Sequence, residues 1–320
     1  GLFTKRTKRK EILQKRLVTV YTYIVNTKML FFGIIAIVLL AAIAYAGITA
    51  YIAYSLTILK PSPITIDKHT IGERAADVAF RSTDNTQLAG WFFPGTNGKV
   101  IMFVPGAGQN RTNIDYGGTE IAKYFVDAGY SVLLFDLRGT GESQVTRQSF
   151  GQYERNDVAG AYNYLVKQEY DPKSIGIISD SLGAISTIMA SSEIKDAGAI
   201  VLDSPATEVM TAISHLMEGE HNVPRFLHPG VYFWAKTLYG IDAASVRPID
   251  QVHYLENTPL LFLHGAKDDL IPPFNSEELL SKVKKGSRVL FPNSDHVHTY
   301  KSDHALYLDT VTEFFMKNLE

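Results

Sequence analysis

The chain has 320 residues, 46% of them hydrophobic and 20% charged, which describes an ordinary globular protein with a sizeable core. A formal net charge of -2 gives no electrostatic ground for a nucleic-acid partner. Cysteine is absent, which excludes disulfides, thiolate metal sites, a cysteine nucleophile and a lipid-modified cysteine as anchor.

The N-terminal segment differs from the rest. Lys5, Arg6, Lys8, Arg9, Lys10, Lys15, Arg16 and Lys28 precede a charge-free run from Met29 to Leu59. A membrane-spanning helix needs about 20 apolar residues, and this run exceeds that. Tyr45, Tyr51 and Tyr54 sit toward its far end, where an aromatic belt would lie. The sequence therefore predicts a basic tail over residues 1–28, a single-pass anchor over 29–59 and a linker over 60–75 marked by Pro61 and Pro63. The basic flank belongs in the cytoplasm, which puts the domain over 76–320 on the other side of the membrane. A cleaved leader is the competing reading, because Ala44-Tyr45-Ala46 has a small-x-small pattern. Cleavage there would leave an apolar start at Gly47, so the anchor is preferred.

From Ala76 onward, short apolar runs alternate with helical patterns. "ADVAFRS" and "LAGWFFP" read as strands joined at Asp84-Asn85, and "KVIMFVPG" as a buried strand before a glycine-rich loop. A helix follows around "GTEIAKYFVDAG", then the strand "YSVLLFDLRG" and the helix "NDVAGAYNYLVKQ". "SIGIISDSLGAIST" reads as a strand, a tight turn at Ser181 and a helix. The strands "AGAIVLDSP", "TPLLFLHGAKD" and "SRVLFPN" come next, with a helix at "SEELLSKVKK" and a last helix from about His304. Strands apolar on both faces and alternating with helices predict an α/β fold: a mostly parallel sheet flanked by helices. The interval 206–251 breaks the alternation, is rich in aromatics and predicts a helical lid.

The turn at Ser181 has the shape of a nucleophile elbow, Gly-x-Ser-x-Gly, except that Ser179 stands at the first glycine. A serine nucleophile needs a base, and the base needs a carboxylate to fix its tautomer. Asp268 and Asp269 follow a later strand, and His296 and His298 follow the last one, so the order Ser, Asp, His is available.

These motifs together resemble the α/β-hydrolase superfamily, close to membrane-anchored or exported bacterial serine esterases and their Bem46-like relatives. "VPGAGQNR" is similar to the family's oxyanion loop, with Pro105 in place of its histidine, and "FDLRGTGES" is similar to its Asp-x-Arg-Gly turn. "HGAKDDLIPP" resembles the motif that makes Asp268 the acid, and "SDHVHTYKSDHALY" the one that makes His296 the base. The resemblance implies an oxyanion hole from the backbone N–H groups of Ala107 and Leu182. Asp269, Asp203 and His298 are left as neighbours, and His264 as a structural residue. His215, His221 and His228 lack a carboxylate at metal-ligand spacing, so no metal is assigned.

The expectation is a serine hydrolase acting on a small ester or acyl substrate without a cofactor, held at the cell membrane by its N-terminal helix. A peptidase or acyltransferase would use the same triad, and a ligand-binding pseudo-hydrolase would use none of it. The sequence says nothing of oligomeric state.

Overall fold

The structure is a computed structural model that describes residues 2–59, 62–113 and 116–320; Lys60 and Pro61 of the expected linker lie outside the described residues. Two compact units are present, Gly1–Ile52 and Ala53–Glu320. The first is helix α1, Leu2–Thr57, up to Ile52. The basic tail is helical along with the apolar run. Its Leu, Lys, Arg, Glu and Gln residues are all good helix formers, and no proline interrupts them.

The second unit begins with the last turn of α1, earlier than the boundary near Leu59 that hydropathy suggests. Its sheet has eight strands: β1 (Ala76–Arg81), β2 (Gln87–Phe93), β3 (Val100–Val104), β4 (Ser131–Phe135), β5 (Ile175–Asp180), β6 (Ala199–Asp203), β7 (Leu260–Gly265) and β8 (Gly286–Phe291). They lie in the order β1-β2-β4-β3-β5-β6-β7-β8. β1 and β2 pair antiparallel, β2 pairs antiparallel with β4, and every pairing from β4 to β8 is parallel. This is the α/β-hydrolase fold.

Strand alternation splits the core in two. Val100, Met102, Leu133, Ile175 and Ile177 point to one face, under α3 (Glu154–Lys167), α4 (Leu182–Met189) and α5 (Ser191–Ile194). Ile101, Phe103, Val132, Leu134 and Val201 point to the other, under α2 (Gly118–Asp127) and α10 (His304–Asn318). Because both faces are covered, β3 through β7 are apolar along most of their length, with polar residues only at their ends. Between β6 and β7 lie α6 (Val209–Gly219) and α7 (His228–Tyr239), the helical interval. α8 (Phe274–Leu280) precedes β8, and α9 (Thr299–Ser302) precedes α10.

Candidate active site

β5 delivers the first site residue. Ser181 follows it at φ 48° and ψ −116°, backbone that a residue with a side chain rarely adopts. This strained turn reverses the chain from β5 into α4 and carries the Ser181 hydroxyl clear of both. The strain is held from each side: the Ser181 N–H donates to the Asp203 carbonyl at 2.9 Å, and the Ser181 carbonyl accepts from the Ile185 N–H at 2.9 Å. Ser181 does not cap α4 with its side chain.

The elbow tolerates Ser179 and would not tolerate a side chain at Gly183. Ser179 is fully buried and donates its hydroxyl to the Val201 carbonyl at 3.2 Å, so its polar atom is satisfied on the neighbouring strand. A Cβ on Gly183 would lie 2.2 Å from the Val104 carbonyl oxygen. α4 crosses the end of β3 too closely for anything larger.

β7 and β8 deliver the partners. The loop after β8 brings His296 Nε2 to 2.8 Å from Ser181 Oγ, and His296 Nδ1 lies 2.8 Å from Asp268 Oδ2. Asp268 is buried in the turn after β7, where its Oδ1 accepts from the N–H groups of Leu270 at 3.1 Å and Ile271 at 2.8 Å. Burial alone would raise this carboxyl. The His264 side chain at 3.3 Å, then His296 and the Ile271 N–H, outweigh burial and hold it well below the usual carboxylate range. An ionised Asp268 accepts the Nδ1 proton of His296, which leaves Nε2 free to take a proton from the serine. Val297, next in the chain, is a buried β-branched residue at φ 59°. The histidine loop is thus strained like the serine turn.

The neighbours considered from sequence go elsewhere. Asp269 is exposed, and His298 pairs with Asp295 and lies against the Tyr116 ring at 5.6 Å. Asp203 is buried and accepts the hydroxyls of Thr299 and Ser204. His215 and His228 bond to the carbonyls of Leu270 and Val223. Among the described residues no group of three or more His, Asp or Glu converges in a way that could hold a metal.

Ala107 and Leu182 line one cavity together with Ser181. Neither of their backbone N–H groups meets a backbone acceptor among the described residues. Gly106 packs on the elbow, where a Cβ would sit 3.6 Å from that of Ser181. The loop is fixed from behind. Arg111 is buried and grips Asp136 of the "FDLRG" turn through its side chain at 2.6 Å and its N–H at 2.6 Å. Arg138 of the same turn pairs with buried Asp157 and with Asp84, both at 2.8 Å. The turn thus ties the loop carrying Ala107 to the sheet.

The cavity beside Ser181 holds about 100 Å³. Phe150, Ile185, Val209, Ile213, Leu216 and Leu270 form most of its wall, and Gln148 supplies the one amide. Val209, Ile213 and Leu216 belong to the interval 206–251 read as a lid, whereas sequence reasoning missed Gln148 and Phe150. Phe150 is bulky yet sits at φ 57°, and Gly151 follows at φ 102°. Buried Glu154 enforces that course by accepting from the N–H groups of Ser149 at 2.7 Å and Gly151 at 2.8 Å and from the Ser149 hydroxyl. A Ser149–Glu154 spacing is a weak signal on its own.

Asp180 was missed too. It is buried beneath the elbow and is the register partner of Asp203 on β6. Burial pushes its carboxyl up to about 7; the Asn113 amide, donating at 3.0 Å, opposes this and the neighbouring Asp203 reinforces it.

Residues 119–320, from α2 to the last residue and including Ser181, Asp268 and His296, match the prolyl oligopeptidase family. The chain belongs to that family. It is 30% identical over 195 residues to the protein YqkD of Bacillus subtilis, a match covering 59% of this chain and 63% of that relative, a little under two thirds of its length. To YfhR of Escherichia coli K12 it is 25% identical over 253 residues, covering 77% and 82% of the two chains. To the alpha/beta hydrolase domain-containing protein WAV2 of Arabidopsis thaliana it is 24% identical over 250 residues, covering 75% and 78%. Among solved structures, the Pyrococcus furiosus esterase Pf2001 superposes with a TM-score of 0.69 at 21% identity, covering 82% of this chain and 99% of that one. Family and fold make this prolyl oligopeptidase family member a hydrolase of the α/β-hydrolase type.

Proposed function

We infer that the chain hydrolyses carboxylic esters through an acyl-enzyme. Ser181 attacks the ester carbonyl as His296 Nε2 takes its proton, and Asp268 holds the imidazole and stabilises the imidazolium. The N–H groups of Ala107 and Leu182 receive the oxyanion, an interaction worth about 3–4 kcal/mol for one donor. The alcohol leaves with the proton from His296, and water then cleaves the acyl group. The observation that carries this reading is the pair of 2.8 Å contacts joining Ser181 Oγ, His296 and Asp268. The cavity supports an ester substrate, because every side chain lining it is uncharged and most are aliphatic.

The family's name favours a second reading, a peptidase on the same residues. One experiment separates the two. Purified full chain and Ser181→Ala are treated with a fluorophosphonate probe and assayed on p-nitrophenyl esters of graded chain length beside aminoacyl p-nitroanilides. Labelling that needs Ser181, with esters turned over far faster, is the expected result. Anilides outpacing every ester would make it a peptidase, and equal labelling of Ser181→Ala would remove Ser181 from the mechanism.

We read the N-terminal helix as a membrane anchor with its basic end in the cytoplasm. One described helix, over Lys8–Thr57, is long and apolar enough to cross a membrane. Because Ala53 onward belongs to the catalytic unit, the anchor runs from about Met29 to Ile52, a rise of about 36 Å that still exceeds a hydrocarbon core of ~30 Å. A hydrolase so tethered favours acyl lipids or apolar esters over large soluble polymers.

A further inference from the structure

Gln148 is 6% exposed, lies in the wall of the cavity beside Ser181, and has an amide oxygen with no hydrogen-bond partner. Among the described residues no hydrogen bond engages its amide nitrogen either. A buried amide oxygen left unpaired is destabilising, and the chain around Gln148 gives it no way out. Its N–H donates to the Thr57 carbonyl at 2.9 Å. Arg147 before it stacks on the Tyr239 ring at 3.7 Å and donates to the Thr57 hydroxyl at 2.9 Å. Beyond it, Ser149 and Gly151 are clamped by Glu154. A glutamine kept for structure would use its amide to bond something. This one leaves its oxygen unpaired in a residue that lines an apolar cavity at the nucleophile.

We propose that Gln148 is a specificity residue, whose amide oxygen accepts a hydrogen bond from a hydroxyl on an otherwise aliphatic chain, so that the preferred substrates are hydroxylated aliphatic esters. The cavity of about 100 Å³ is well below the ~300–1,000 Å³ of a drug-sized site, which limits the part it seats to a few carbons. A site built to bond a hydroxyl discriminates against the analogue without it, because its own polar atom is then left unpaired. The inference rests on the reading of Ser181 as an ester-cleaving nucleophile.

The test compares the full chain in detergent with Gln148→Met, a substitution that keeps length and removes the amide. Hydrolysis of ethyl hexanoate, ethyl 3-hydroxyhexanoate and ethyl 6-hydroxyhexanoate is followed by pH-stat, and Tm is measured for both proteins. In the unsubstituted chain one hydroxy ester has the highest kcat/KM. Gln148→Met lowers the ratio of that value to the one for ethyl hexanoate about 10-fold or more, and keeps or raises Tm because the unpaired buried amide oxygen is gone. The inference is overturned if the three esters are turned over alike, if Gln148→Met lowers all three equally, or if its Tm falls as a structural glutamine requires. Hydrolysis of none of them by the unsubstituted chain would sink the ester reading and this inference with it.

Discussion

Asp180→Asn tests the buried carboxyl beneath the elbow. The Asp180 carboxyl titrates at about 7 in the folded chain, against 3.8 without the fold, so between those values the folded chain holds a proton that the unfolded chain has released. Stability therefore falls as pH rises through that window, and the loss is complete above about pH 7. At 1.36 kcal/mol for each pH unit between the two values, the full cost is about 4 kcal/mol. For a domain this size, 1 kcal/mol moves Tm by roughly 2–4 °C, so the effect approaches 8–16 °C at its upper bound. Asn keeps an oxygen for the Asn113 amide to donate to, removes the ionisation, and relieves Asp203 of a charged neighbour on the adjacent strand. The assay is thermal unfolding by circular dichroism in detergent at pH 5, 6, 7 and 8 and constant ionic strength. The unsubstituted chain should lose Tm from pH 5 to 7 and level off toward pH 8, and Asp180→Asn should lose much less over the same steps. Parallel curves would refute the argument, since they would mean that Asp180 is ionised or protonated alike in both states.

Other outcomes follow from the same geometry. Asp268→Asn should lower kcat by up to about 10⁴ by presenting the wrong donor to His296, while Asp269→Asn changes it less than about threefold; equal losses would mean the acid is misassigned. Ser179→Gly gives up one hydrogen bond, about 1 kcal/mol, and should keep its activity. Gly183→Ala should fail to give active protein, because its Cβ meets the Val104 carbonyl; a normal Tm and turnover would show that α4 can shift. Protease added to intact spheroplasts should digest the hydrolase domain and spare the basic tail, whereas protection until lysis would reverse the proposed orientation.

The sheet was readable because its central strands are covered on both faces. Residues 100–104, 175–178 and 260–263 show as continuous apolar runs whatever helices cover them. The elbow was readable because crossing β3 demands Gly183, and that demand is written in one letter. Choosing Asp268 over Asp269 needed resemblance to a family, since adjacent carboxylates differ only in which one the turn buries. Gln148 and Phe150 were hidden for another reason: the clamp that positions them joins Ser149 to Glu154 and involves no hydrophobic pattern. The compact unit's start at Ala53, inside the apolar run, was not legible because apolar residues serve lipid and protein contacts equally well. Hydropathy has no means of telling Ile52 from Ala53.

That last boundary matters to anyone preparing the hydrolase without its N-terminal apolar helix. A version trimmed after Leu59 discards Tyr54, whose ring lies 5.1 Å from the Arg147 guanidinium, and Thr57, which takes hydrogen bonds from Arg147 and Gln148. The trimmed protein would keep Ser181, Asp268 and His296 yet lose the brace behind one wall of the cavity. It would still react with small probes while misreporting which substrates the whole enzyme prefers. A trim that starts before Ala53 keeps the brace, and a few more apolar residues must then be kept in detergent.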